Sequence, residues 1–147
     1  MSTKQRNDAC LVSVGPSEAD VLRQQTLVTL EANHYFFEEI LEFGPEAQQA
    51  LAQIYRDAFA VLDAIEWRRL DEPPTSIDVP ITAGHAEQLF QRRYELAHAN
   101  IDRFAARDAA PDADERAAID KAIADDRDAA VTLDRLISKS IDLARGI

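Results

Sequence analysis

Two stretches of the 147-residue chain place a carboxylate and an imidazole three residues apart: Glu31-Ala-Asn-His34 and, 64 residues on, Glu95-Leu-Ala-His98. In each, an apolar residue (Leu30, Tyr94) precedes the Glu, and a further apolar residue and an acid follow the His (Phe37-Glu38, Ile101-Asp102). Two of the chain's three histidines lie in this frame. On a helix, residues three apart occupy neighbouring turns of one face. A Glu and a His so spaced can reach one ion, and carboxylate with imidazole suits iron or manganese. A third acid belongs with them. Asp126 falls amid Ile123, Ala129 and Ala130 of an apolar helical face, where a carboxylate requires a metal, an Arg, a His or a raised pKa. Asp57 stands on the flank of another face, where the favoured reading is a solvated acid.

These residues need helices to position them, and the pattern supplies four. Leu27, Leu30, Phe37 and Leu41 recur at helical spacing over about 17–43, and Ser17 with Asp20 resembles a capping box at the start. Gly44-Pro45 ends that helix and opens the next, about 46–70, whose face is Leu51, Ile54, Ala58, Val61, Leu62 and Ile65. The third helix, about 82–107, carries Phe90, Tyr94, Ala97, Ile101 and Phe104 as its expected buried stripe. The fourth, about 112–144, turns Ile119, Ile123, Ala130, Leu133, Ile137 and Ile141 inward. The fold class expected is all-α, a four-helix bundle built from two helical hairpins. Residues 1–16 read as an N-terminal arm and 17–147 as a single helical bundle domain. Its one long connection, 71–81, holds Pro73, Pro74 and Pro80 and is compatible with either a run along the bundle or a slack turn. His85, at the start of the third helix, is expected at the surface. Arg56-Asp-Ala58 and Arg127-Asp-Ala129 add to the repeated frame, so duplication of a hairpin and coincidence both stand.

The stretch 17–144 resembles the ferritin-like di-metal carboxylate bundles, through Glu31-x-x-His34, Glu95-x-x-His98 and Asp126. The resemblance implies a metal-binding protein with an oxidation or metal-handling role. Glu31 and Glu95 would bridge two ions, iron or manganese, His34 and His98 would cap them, and Asp126 and Asp57 would complete the set. The chain departs from that family's order, which carries the pairs on helices two and four; here they fall on one and three.

Two shorter likenesses compete. Arg93-Tyr-Glu-Leu-Ala-His98 has the Arg-x4-His spacing of HEPN-type ribonucleases, which implies RNA cleavage by Arg93 and His98, although Tyr94 stands where that family usually has Asn. Glu38-Glu39-x-x-Glu42 is similar to the first Mg²⁺-binding helix of MazG-type nucleotide pyrophosphohydrolases, but the second helix lacks that family's Glu-x-x-Asp. The non-catalytic alternative is a helical interaction and assembly protein, a homo-oligomer and most simply a dimer, with Phe36, Phe43 and Trp67 outside the monomer core.

Composition narrows the classes. Hydrophobic residues make up 46% and charged residues 29%, which is globular rather than disordered. A net charge of −11 opposes phosphate backbones, so nucleic acid is not an expected partner. No run approaches the roughly 20 apolar residues that span a bilayer, and residues 1–14 lack the apolar core of a secretory signal. Cys10, the lone cysteine, forms no intrachain disulfide, and cytoplasm is the expected compartment.

Overall fold

Two short segments follow a period of two rather than 3.6, and they organise the molecule. In Cys10-Leu-Val-Ser-Val14 and in Ile77-Asp-Val-Pro-Ile81, β-branched residues alternate with polar or exposed ones, the pattern of strands with one buried face. The computed structural model describes residues 9–69, 76–144 and 146. It places β1 (Ala9–Val14), α1 (Pro16–Tyr35), α2 (Phe37–Glu42), α3 (Pro45–Arg69), β2 (Ile77–Thr82), α4 (Ala83–Ala109) and α5 (Ala113–Ala144) in that order. The described residues are therefore mostly helical, with five helices and a small sheet. β1 is followed by three helices, the second of them short, and β2 by two.

β1 and β2 pair antiparallel, with Val12 opposite Val79 and Leu11 opposite Pro80. Each strand of a two-stranded ribbon is an edge, so the N–H that proline lacks need not be missed. Val12, Val14, Ile77, Val79 and Ile81 are all buried and join Leu22, Val61, Ile65, Leu89, Leu133 and Leu136 in one core. The ribbon corrects two expectations. The N-terminal arm is, from Ala9 on, a core strand; the Pro-containing connection is, from Ile77 on, its partner. Neither was visible to a search for helical period.

Both strands run into helices without a loop. Gly15 is the N-cap of α1, Pro16 its first residue, and Gly15 N donates to Glu18 Oε1 at 3.2 Å. The box thus forms around Glu18, not between Ser17 and Asp20. Burial alone would raise the Glu18 carboxyl, but the Gly15 N–H and Lys139 outweigh it and hold it below its ordinary value. Thr82 caps α4 in the reverse sense, its side-chain Oγ1 accepting from His85 N at 3.0 Å.

The expected first helix is interrupted at Phe36, whose φ of −96° and ψ of 13° leave the helical region and separate α1 from α2. Gly44, at φ 104°, then reverses the chain in the left-handed conformation that favours glycine. α1 and α3 run antiparallel, tied by Arg23 to Glu66; α4 and α5 do likewise, tied by Arg93 to Asp134 at 3.0 Å, Arg103 to Asp126 and Arg107 to Asp120. Lys139 on α5 reaches back to the Ser13 carbonyl of β1 at 3.0 Å.

The strands matter to stability as core does. Ile81→Ala, at a fully buried position, should cost about 2–4 kcal/mol in chemical denaturation. Leu11→Ala, on the outer face of the same ribbon and 64% exposed, should stay within about 0.5 kcal/mol.

Candidate functional site

The inward faces of α1 and of the start of α4 are polar where apolar residues were expected. α1 buries Gln25, Thr26 and Thr29 beside Ala19 and Leu22, while Leu27, Leu30, Phe37 and Leu41 are only partly covered or exposed. The apolar period of this helix is out of phase with its burial.

These residues meet a histidine. His85, expected at the surface, is buried, because β2 delivers the first turn of α4 into the core and the Thr82 cap fixes it there. Its Nε2 lies 3.2 Å from Thr26 Oγ1. Asp57, read as a solvated acid, is also buried, and Gln53 Nε2 donates to its Oδ1 at 2.7 Å. Its other oxygen, Oδ2, lies against the first turn of α4. A Cβ on Gly84 would approach it to 3.2 Å, so glycine there leaves room for the carboxylate at the positive end of the helix. Beside this group, Arg92 Nε donates to Gln25 Oε1 at 2.9 Å and Arg92 also pairs with Glu95. Among the described residues no buried side-chain nitrogen or oxygen lacks a partner.

Hydroxyl, imidazole and carboxylate are the groups of a nucleophilic relay. Here Thr26 and His85 join α1 to α4, and the Asp57 carboxylate of α3, held by Gln53 of the same helix, abuts the start of α4. A substrate could meet Thr26, which has no exposed surface, only if those helices parted. The cluster is a buried polar joint. Burial pushes the His85 imidazole down to about 4, against an upward pull from Asp57, so the folded protein holds it neutral.

The repeated Glu/His frames are elsewhere and face outward. Glu31 and His34 are exposed on α1, and the ring of His34 lies 6.2 Å from that of Phe37. His98 is exposed on α4, with Nδ1 3.9 Å from Asp102 Oδ2 one turn on. Glu95 is engaged by Arg92, and Asp126 by Arg103, one of the partners that its place on an apolar face required. Among the described residues no three His, Cys, Asp or Glu side chains gather in a way that could hold a metal ion. The ligand set implied by the ferritin-like resemblance is thus not assembled as a cage in this conformation. Arg93, the other residue of the Arg-x4-His spacing, donates to Asp134.

The feature that sequence reasoning misplaced most is the stripe of α4. Phe90, Tyr94, Ala97, Ile101 and Phe104 are exposed, not buried, with Phe90 at 63%, Tyr94 at 60% and Ile101 at 66%. The face that α4 buries is His85, Leu89 and Leu96, one residue earlier and so rotated by about 100°. α4 is apolar on two adjoining faces, and the core takes the other one. Next to the stripe, between α4 and α5, runs a groove of about 190 Å³ floored by Leu96, Ile123 and Ala130 and rimmed by Arg93 and Arg127. A second exposed aromatic group, Tyr35, Phe36 and Phe43, gathers around α2. Trp67, expected outside the core, lies outside the described side chains.

The buried histidine makes stability depend on pH. Its folded pKa is below its ordinary value of 6.5, so the unfolded chain takes the proton first. Stability is full above about pH 6.5 and is lost as the pH falls toward 4, by a sum on the order of 3 kcal/mol from this residue. Denaturant titrations across that window should show the loss, and His85→Gln should flatten it.

Among the described residues no helix is long and apolar enough to cross a membrane. Compared with protein families, curated proteins and solved structures, the chain matches none.

Proposed function

We propose that this protein is a helical interaction and assembly module, working in the cytoplasm, whose docking surface is the exposed face of α4. On this reading α1, α3, α4 and α5 serve as a four-helix framework of two hairpins, and the ribbon with its buried polar joint holds α4 rigid. The observation that carries the reading is the stripe Phe90, Tyr94, Ala97, Ile101, Phe104. Its alternating steps of four and three residues make the seam a helix uses against another helix, yet among the described residues nothing covers it. Large exposed aromatic residues grouped on one face mark interaction surfaces rather than ordinary solvent-facing helix.

Ile101→Lys and Tyr94→Lys should leave the helical circular dichroism unchanged, because both side chains are outside the core, and should weaken association at least tenfold. A photo-crosslinking residue placed at Tyr94 in intact cells should give a protein adduct; the same residue at Leu11 should not. No adduct at Tyr94, with association unchanged in both Lys variants, would sink the docking reading.

The metal reading rests on the spacing of Glu31, His34, Glu95 and His98, with Asp126. Protein purified without a tag or chelator and analysed for iron and manganese tests it. Sub-stoichiometric metal with no anaerobic uptake of Fe(II) would remove that reading without touching the α4 face.

A further inference from the structure

The sizes along the α4 stripe read the same in both directions. Two large residues, Phe90 and Tyr94, precede the small Ala97, and two large residues, Ile101 and Phe104, follow it. A surface with that order is complementary to itself under a two-fold rotation, which is what a symmetric dimer requires of an interface. We infer that the occupant of this face is a second copy of the chain, packed with the two α4 helices antiparallel and Ala97 at the two-fold axis. The inference rests on the reading of α4 as a docking face and names its partner.

In this arrangement Phe90 lies opposite the partner's Phe104, Tyr94 opposite the partner's Ile101, and Ala97 opposite its own equivalent. The small residue at the centre lets the helices approach closely, and the aromatic residues fill the seam on either side. The antiparallel direction has an electrostatic ground: it sets the two helix dipoles in opposite senses, where a parallel pair would align them.

The area is of the right order. Aromatic side chains present ~150–250 Å² each when fully open. At 63%, 60% and 50% exposure, Phe90, Tyr94 and Phe104 with Ile101 offer roughly 400–500 Å² per copy. The two copies together bury ~800–1,000 Å² from the stripe, the size of a small, weak interface, below the ~1,200 Å² at which standard-size interfaces begin. The charge of the chain does not prevent the approach. Over Ala83–Ala109, α4 has four Arg and four acids and is neutral, so the net −11 resides elsewhere.

Cysteine cross-linking in the full-length Cys10→Ser protein tests the geometry, with light scattering to report mass. Ala97→Cys should oxidise to a covalent dimer in high yield. Phe90→Cys and Phe104→Cys should each stay uncrosslinked alone and cross-link to one another when mixed. Ala97→Arg, which puts two like charges on the axis, should raise the dimer dissociation constant at least tenfold while helix content is unchanged. Self-cross-linking of Phe90→Cys and of Phe104→Cys would overturn the antiparallel arrangement. A monomer at all concentrations, with no cross-link from Ala97→Cys, would overturn the second copy as occupant. If that monomer still gives an adduct at Tyr94 in cells, docking on this face survives with another protein as partner; without the adduct both fall.

Discussion

The structure depends on a strand that must be buried on one side and paired on the other. Val12 and Val14 of β1 have no hairpin neighbour in sequence, so their backbone bonds and their apolar faces are both satisfied by a segment on the far side of the first helical hairpin. Once β1 lies against β2, the remaining geometry has little freedom. Gly15 and Thr82 end the strands and cap the helices in the same step, so the direction of each strand sets the direction of the helix that follows. The ribbon sets where α4 starts and in which direction, and α5, joined to it by Arg93–Asp134, Arg103–Asp126 and Arg107–Asp120, holds it along its length.

That anchoring accounts for an inversion in the molecule. Near the ribbon, α1 and α4 turn Gln25, Thr26, Thr29 and His85 inward beside Leu22 and Leu89, and Leu27, Phe90 and Tyr94 of the same helices face out. Burying those polar groups is tolerable because every one of them has a partner: Thr26 meets His85 and Gln25 meets Arg92 across α1 and α4, while Thr29 donates to the Gln25 carbonyl of its own helix. A core of this kind constrains rotation: a turn of α4 about its axis that covered Phe90 would strip His85 and Arg92 of their hydrogen bonds. Within one chain the polar joint and a buried stripe are mutually exclusive, and the stripe is left at the surface.

Much of the framework was legible in the sequence and the site less so. The Gly44-Pro45 turn, the apolar faces of α3 and α5, and the break near Pro111 followed from period and turn chemistry, because those helices have one apolar face each. α4 has two, and period alone does not say which of two adjoining faces is inward. The strands were hidden by their length and by Pro80, which reads as a connection when the search is for helices. Missing them misplaced His85 and Asp57 too, since both are buried by what β2 brings with it. Ile77, Val79 and Ile81, spaced by two and followed by Thr82 as a helix cap, were the available signal.

Lys139 binds the carbonyl of Ser13, 126 residues away along a chain of 147. With the ribbon it makes the first and last regular elements neighbours, and that carries a kinetic cost. Contacts between helices of one hairpin close short loops, but β1 finds β2 and α5 only after most of the chain has been gathered. The helical hairpins are therefore free to form first, with the ribbon as the step that locks them together. A chain without Lys139 has no cation on the Ser13 carbonyl, and β1 is then held by β2 and the core alone.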